Sequence, residues 1–484
     1  MKRFFSSPLL PLLLGAALRI FFVLRYPSVG GDTVLYEQFA TNWLKLGKFA
    51  MDIGNQPTPV DLRMPGYPAF LTIIYALTGR TGESARLAVM LAQVLVDLAT
   101  CLVIAALAAM LARICGLQAK SKPVFLFALW LAALCPFTAN YVAVPLTEVW
   151  AVFLTAVAFF FLVVIAAAVA GTPVSILKRR EVSGKEIWTA AAIAGLVVGL
   201  GTLFRPEAPL LLITTFVALA LWMLPRKEPA RWIALCCVMG IACVTFLLPW
   251  TIRNAITLHE FQPLAPKDTM LSSEVDPKGL MAWEKTWLYR VRDNYLVPWK
   301  LNDEEIHLDD VPNSAFDTAE QRERAAAVLD KYNDDLTWTE DEDRVFAEIA
   351  RQRTARHPLR TYLWIPLLRA ERIWFTPRIE LLPVSGHVFP LAYQREEDPV
   401  DQETTILIFF VNVFYVGLAV WGTWKLWRFR AARAPLVVLG LYILVRTAFL
   451  TTLETPEPRY VLECFPAVIA IGAQTIVRKS STHS

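Results

Sequence analysis

The sequence predicts an all-α polytopic membrane protein with about ten transmembrane helices, extracytoplasmic juxtamembrane helices and a small, mainly helical extracytoplasmic loop region. Three observations predict it. Of 484 residues, 56% are hydrophobic and only 19% charged, too apolar a balance for one large soluble core. The apolar residues gather into runs of about 17 to 25, the length that crosses a bilayer as helix. The basic clusters between those runs fall on one side when the runs are threaded in order.

The expected spans are 8–26, 84–112, 123–143, 147–170, 188–204, 208–224, 232–250, 404–424, 435–452 and 460–477. The first follows Lys2 and Arg3. It resembles a signal peptide, but Arg19 and Arg25 interrupt the cleavage region, so it is read as an uncleaved anchor. Lys120 with Lys122, Lys178 through Arg180 with Lys185, Arg226 with Lys227 and Arg231, the Lys425–Arg433 cluster, and Arg478 with Lys479 share the side of the N-terminus. By the positive-inside rule that side is cytoplasmic, both termini lie there, and the compartment is the plasma membrane. Three sections follow: a transmembrane module over 1–250 that includes an extracytoplasmic loop at 27–83, an extracytoplasmic region at 251–403, and C-terminal membrane helices over 404–484.

Within the first loop, Val34, Leu35, Phe39, Trp43 and Leu46 have the spacing of an amphipathic helix along the membrane surface, with Gly47 as its stop. Tyr67 to Thr78 is apolar but too short to span, and parity makes it a half-buried helix on the outer face. In the second region, Thr318 with Gln321 and Thr339 with Glu342 have capping-box spacing, the second helix ending at His357 before Pro358. Residues 358–375 mix aromatics and leucines with four charges and read as an interfacial helix. A net charge of +4 gives no argument for nucleic acid. None of the seven cysteines falls in 28–83 or 251–403, so neither polar stretch can hold a disulfide framework.

An ionisable residue where a helix leaves the bilayer is a functional-site candidate by default. Asp32 sits at such a mouth, after Gly30-Gly31. Two compatible readings are open: N-cap of the helix that starts at Thr33, or general base for an acceptor hydroxyl. Arg63 precedes the turn Pro65-Gly66-Tyr67-Pro68 and either snorkels to the headgroups or clamps a phosphate with its planar fork. Arg205-Pro206-Glu207 faces the same compartment by parity; a local contact across the turn competes with a role at the site. Arg459 likewise pairs with Glu457 or projects toward the site, and Glu148 is most simply an acid at a helix N-terminus. His259 is a weak metal candidate, because scattered carboxylates around one histidine lack the close ligand spacing of zinc sites. Trp283, Trp287 and Trp299 read as an interfacial belt in preference to sugar-stacking platforms.

In order, the segments GGDTVLYEQFATNWLKLGKF, DLRMPGYPAFLTIIYALTG, GLVVGLGTLFRPEAPLLL, LPWTIRNAITLHEFQPL and EPRYVLECFPAVIAIG resemble the GT-C superfamily of membrane glycosyltransferases, nearest the bacterial relatives of protein O-mannosyltransferases and lipid A aminoarabinose transferases. The resemblance covers the membrane part; roughly 267–357 resembles nothing nameable. It implies transfer of a hexose or pentose from a polyprenyl-phosphate carrier to a hydroxyl of a glycan, lipid or protein on the outer face, as in cell-envelope glycan biosynthesis. On that analogy Asp32 activates the acceptor, while Arg63, with Arg205 and Arg459, binds the donor phosphate. Asp61, Tyr67, Glu207 and Tyr460 are candidate substrate contacts or a second acid. The chain departs from the pattern in having Thr33 after Asp32 and Leu62 beside Arg63 where the relatives carry carboxylates. No cofactor is required, with a divalent metal left open. The competing reading is a transporter or flippase of a lipid-linked or anionic solute. Against it, the suggestive charges sit at outer helix ends, not at mid-membrane.

Overall fold

The computed structural model describes residues 7–172, 184–266, 275–376, 381, 382, 384 and 399–477. The basic residues Lys2, Arg3, Lys178–Arg180, Arg478 and Lys479 used above to orient the chain lie outside the described residues. Two compact units emerge, one formed by Met1–Pro266, Ile379–Ile443 and Leu462–Ser484, the other by Lys267–Arg378 and Leu444–Val461.

The first unit is a mainly α-helical membrane bundle. Among the described residues five helices are long and apolar enough to cross a bilayer: Gly82–Ile114, Glu148–Val169, Pro229–Thr257, Pro399–Trp427 and Arg430–Leu450, the last of which continues into the second unit. The run expected at 123–143 is instead a pair, Gln118–Ala133 and Pro136–Ala143, bent by 51°. Pro136 explains the break, since it lacks the N–H that would continue the ladder and restricts the residue before it. Leu9–Arg25 and Gly184–Thr202 match two other expected runs. Leu210–Met223 is shorter than the expected 208–224, and the run expected at 460–477 is broken, with Phe465–Gly472 as its α-helical part between 3-10 turns Pro458–Cys464 and Ala473–Ile476. The helix expected to end at 250 continues to Thr257.

Arg19 does not end the first helix. Its guanidinium is fully buried, with Nε donating to Asp97 at 2.6 Å and Nη1 donating to the carbonyls of Gly15 and Ala133 at 2.9 and 2.8 Å. A charge placed in hydrocarbon is tolerated when a counter-charge and carbonyls satisfy it, and here they tie three helices together.

The loop after the first helix begins with the helix Thr33–Leu46, which closes on Gly47 in the left-handed region (φ +65°). A two-stranded antiparallel hairpin follows, Ala50–Ile53 against Gln56–Pro59, turning on Gly54-Asn55. Arg253, near the end of Pro229–Thr257, donates to the carbonyl of Phe49 at 2.6 Å and of Val60 at 2.9 Å, so one guanidinium grips the chain on both sides of the hairpin. The short apolar helix Gly66–Thr78 completes the loop.

The second unit has its own apolar core of Leu280, Trp283, Trp287, Leu329, Tyr332, Phe346 and Ile349. Trp283 and Trp287 are therefore neither belt nor sugar platform: their rings lie 5.1 Å apart inside that core, and the Trp283 indole donates to the Ala315 carbonyl. Trp299 stays partly exposed against Tyr295. The helix Glu340–Arg356 carries the full reciprocal cap, Thr339 to Glu342 and back, and ends at His357. Ala319–Asp335 has half of one: Thr318 accepts from the Gln321 amide, but Gln321 reaches back to the Asp317 amide instead of the cap residue's own. In the 358–375 region, a π-helical turn Arg360–Trp364 leads into Ile365–Phe375. Two of its four charges fold inward, Arg360 onto Asp317 and Arg369 onto the carbonyls of Leu288 and Thr451. Glu371 and Arg372 pair with each other at 3.1 Å nearer the surface, and Tyr362, Leu363, Trp364 and Leu367 are exposed.

Glu284 is buried in this unit, and burial pushes its carboxyl up to about 8; Glu454 adds to the rise, and Arg369 and Lys285 oppose it. Between the free carboxyl value of about 4.3 and that raised value the folded state holds the extra proton, so stability falls as pH rises through the window. Glu284→Gln is expected to flatten this dependence, raising the thermal midpoint of the purified protein more at pH 9 than at pH 5. Equal shifts at both pH values would refute the assignment.

Candidate active site

Asp32 occupies the N-cap position of Thr33–Leu46, but its side chain makes no capping bond. The turn is closed by its neighbour: the Gly30 amide donates to Thr33 Oγ1 at 3.1 Å, and that hydroxyl donates to the Pro145 carbonyl at 3.2 Å. This leaves the Asp32 carboxylate to meet Arg63, whose Nη2 donates to Oδ1 at 2.9 Å. Nη1 of the same guanidinium donates to the Leu62 carbonyl at 2.9 Å. The pair is accessible, Asp32 being 43% and Arg63 22% exposed.

Gly66 ties the Arg63 turn to the Arg205 turn. Its amide donates to the Leu203 carbonyl at 2.7 Å, and a Cβ at this position would lie 2.5 Å from the same oxygen. Only glycine allows two backbones to approach so closely. Arg205 is surrounded by acids: Nη2 to Glu148 Oε1 at 3.0 Å, Nη1 to Glu207 at 3.6 Å and Nε to Glu463 at 4.0 Å. The contact expected within the Arg205-Pro206-Glu207 turn is present, but the shortest of these pairs is with Glu148, which is more than a helix-terminus acid.

Tyr36 joins the two arginine sites. It is buried one turn along from Asp32, and burial raises its phenol above the ordinary value; Asp32 and Glu148 add to the rise while Arg63 and Arg205 oppose it. All four charged groups thus act on one hydroxyl. The ring stands edge-on to Tyr67 at 5.2 Å. Tyr67 is fully buried and donates to Gln93 at 2.7 Å, and Gln93 in turn donates to the carbonyls of Val142 and Val144.

Asp61 lies two residues before Arg63 but in a different electrostatic setting. Burial raises its carboxyl, Glu260 adds to the effect and Arg253 opposes it. Arg459 and Tyr460 belong to the second unit, where Arg459 pairs with Glu457 at 2.5 Å and the Tyr460 hydroxyl donates to Glu457 at 2.7 Å. His259 is exposed at a positive-φ turn. Among the described residues no three His, Cys, Asp or Glu side chains gather into a metal-binding group.

A cavity of about 570 Å³ opens beside the same turn, lined by Pro65, Gly66, Ala69, Trp43, Phe49, Phe246, Trp250 and Leu203, with Lys48 and Arg253 as its charged residues. Arg253 lies under the faces of Phe49 and Trp250, 5.5 and 5.1 Å from the ring centroids. Asp32 and Arg63 do not line this cavity, which adjoins their turn through Pro65 and Gly66. Sequence reasoning passed over Tyr36 and Glu463 at the charged cluster, and Lys48 and Arg253 at the cavity. Arg253 stands inside one of the motifs quoted above, where a cation at a helix end reads as a snorkelling side chain.

No family profile and no curated protein matches the sequence. Solved structures do match. Over 96% of this chain and 48% of the other, it superposes on the Archaeoglobus fulgidus oligosaccharyltransferase, crystallised with Zn and sulfate, at 11% identity and TM-score 0.50. The same enzyme tethered to an acceptor peptide matches at 13% identity, TM-score 0.46, over 96% and 49% of the chains. ArnT from Cupriavidus metallidurans, bound to undecaprenyl phosphate, matches at 11% identity, TM-score 0.40, over 96% and 77%. The chain thus has the fold of the GT-C superfamily, that of an all-α polytopic membrane protein, and spans about half the length of the oligosaccharyltransferase.

Proposed function

We propose that this chain is a polyprenyl-phosphate-sugar-dependent glycosyltransferase that moves a sugar onto a hydroxyl acceptor on the extracytoplasmic side. The observation that carries the reading is the accessible Asp32 carboxylate held 2.9 Å from Arg63. Sugar transfer needs a base at the acceptor oxygen and a cation at the leaving phosphate, on opposite faces of the anomeric carbon, so the reading requires Arg63 to part from Asp32 when the donor phosphate binds. The acceptor O–H gives its proton to Asp32 as its oxygen bonds to the anomeric carbon from the face opposite the phosphate. The carbon–oxygen bond to phosphate breaks, and its electron pair leaves with the polyprenyl phosphate. The anomeric configuration inverts.

Arg63 takes the phosphate, since a guanidinium stays charged and matches its oxygens two at a time. The cavity beside Gly66, with aromatic walls and cations at Lys48 and Arg253, suits the first isoprenyl units of a lipid phosphate. Arg205 contributes by exchanging one of its carboxylates for phosphate; a share for Arg459 rests on the sequence resemblance alone. Purified protein in proteoliposomes, given radiolabelled polyprenyl-phosphate sugar and a hydroxyl acceptor, is expected to release polyprenyl phosphate and an inverted glycoside. Movement of intact donor across the vesicle with no glycoside made would overturn the reading in favour of transport.

Gly66 supports the same site from behind. Gly66→Ala forces the two arginine turns apart, and because a 1 Å displacement of positioned groups can cost about 100-fold, turnover is expected to fall about 10- to 100-fold with insertion intact. Unchanged turnover would show that the two turns act independently.

A further inference from the structure

The helix Pro399–Trp427 is long and apolar enough to span, and its last two turns carry a repeated motif that sugar transfer does not use. Trp421, Trp424 and Trp427 are all exposed, and each has a cation over its ring: Lys425 at 4.7 Å, Arg428 at 3.7 Å and Arg433 at 5.9 Å from the respective centroids. Residues 421–433 include no acid, and exposed Arg430 adds a further cation. Lys425 is committed internally, donating to the carbonyls of Thr475 and Val477 at the end of the last helix. Arg433 is half committed, through Nε to the Trp427 carbonyl at 3.1 Å. Arg428 and Arg430 are therefore the cations most open to a partner.

The geometry points to a binding site for an anionic phospholipid headgroup at this end of the bundle. The motif closes a helix long and apolar enough to span, the place where tryptophan is enriched at headgroup level, its ring in the apolar zone and its N–H toward phosphate. A guanidinium flat on an indole is held in place while its N–H edges stay outward, matched to the two free oxygens of a phosphodiester. With no carboxylate among these residues to compete, a headgroup of net negative charge is favoured over a zwitterionic one.

The full chain, purified in zwitterionic detergent, is offered equimolar phosphatidylglycerol and phosphatidylcholine, and retained lipid is counted by native mass spectrometry. Wild type is expected to retain the anionic lipid about tenfold over the zwitterionic one. Combined Arg428→Ala, Arg430→Ala and Arg433→Ala should bring the ratio near one. Arg226→Ala, Lys227→Ala and Arg231→Ala together, removing another basic cluster, should leave it unchanged. Equal retention by wild type overturns the site without reference to any variant. An undiminished ratio in the first triple variant, or an equal loss in the second, overturns it as well.

Discussion

Asp32→Asn is expected to reduce sugar transfer by about 10²- to 10⁴-fold while leaving protein level, membrane insertion and donor retention in place, because a neutral amide cannot take the acceptor proton. The amide can still accept the Arg63 hydrogen bond through its oxygen, so the local contact at 2.9 Å survives in form while the base is lost. The side chain makes no capping bond to Thr33–Leu46, so the loss cannot be charged to a melted helix. Product formation per mole of folded enzyme is the measurement. Activity within threefold of wild type would remove Asp32 from the reaction.

Arg63→Ala should act on the other substrate. Hydrogen bonds to charged groups are worth about 1.5–3 kcal/mol, so kcat/KM for the lipid donor is expected to fall about 10- to 100-fold. Arg63→Lys should recover only part of the loss, because an ammonium keeps the charge but not the two-pronged geometry. A lysine variant with full donor efficiency would show that charge alone matters, and an alanine variant with unaltered donor dependence would place the phosphate elsewhere.

Much of the membrane unit was legible because lipid imposes a simple rule. A backbone crossing hydrocarbon must satisfy its own hydrogen bonds, so a long apolar run favours helix, though the run at 123–143 breaks before Pro136. Gly47 as a helix stop and the full cap at Thr339 were legible for the same reason, each being decided within a few residues. The hairpin at 50–59 announced itself only as Gly54-Asn55, between strands holding two prolines and too little apolar alternation to stand out. Trp283 and Trp287 were misread because tryptophan near a membrane suits an interface and a core equally, and only the fold separates the two.

The candidate site was legible in part. Asp32 and Arg63 drew notice as charges at helix mouths, and their meeting is what a shared site requires. Glu463 reaching Arg205 could not be read from order along the chain, nor could Arg253 gripping both ends of the hairpin; these are facts of packing between distant segments. Glu148 illustrates the limit, since acid at a helix start is so often explained by the helix dipole that nothing local asks for a further partner.

Two jobs fall to one side chain: while the Arg63 fork rests on Asp32, the carboxylate is screened and the fork is only partly open. A phosphate that captures both prongs draws the cation away and bares the oxygen beneath. On the proposed reaction the carrier lipid is then expected to add before the acceptor, and a stray water reaching the empty enzyme meets a base still paired with its cation and no activated sugar.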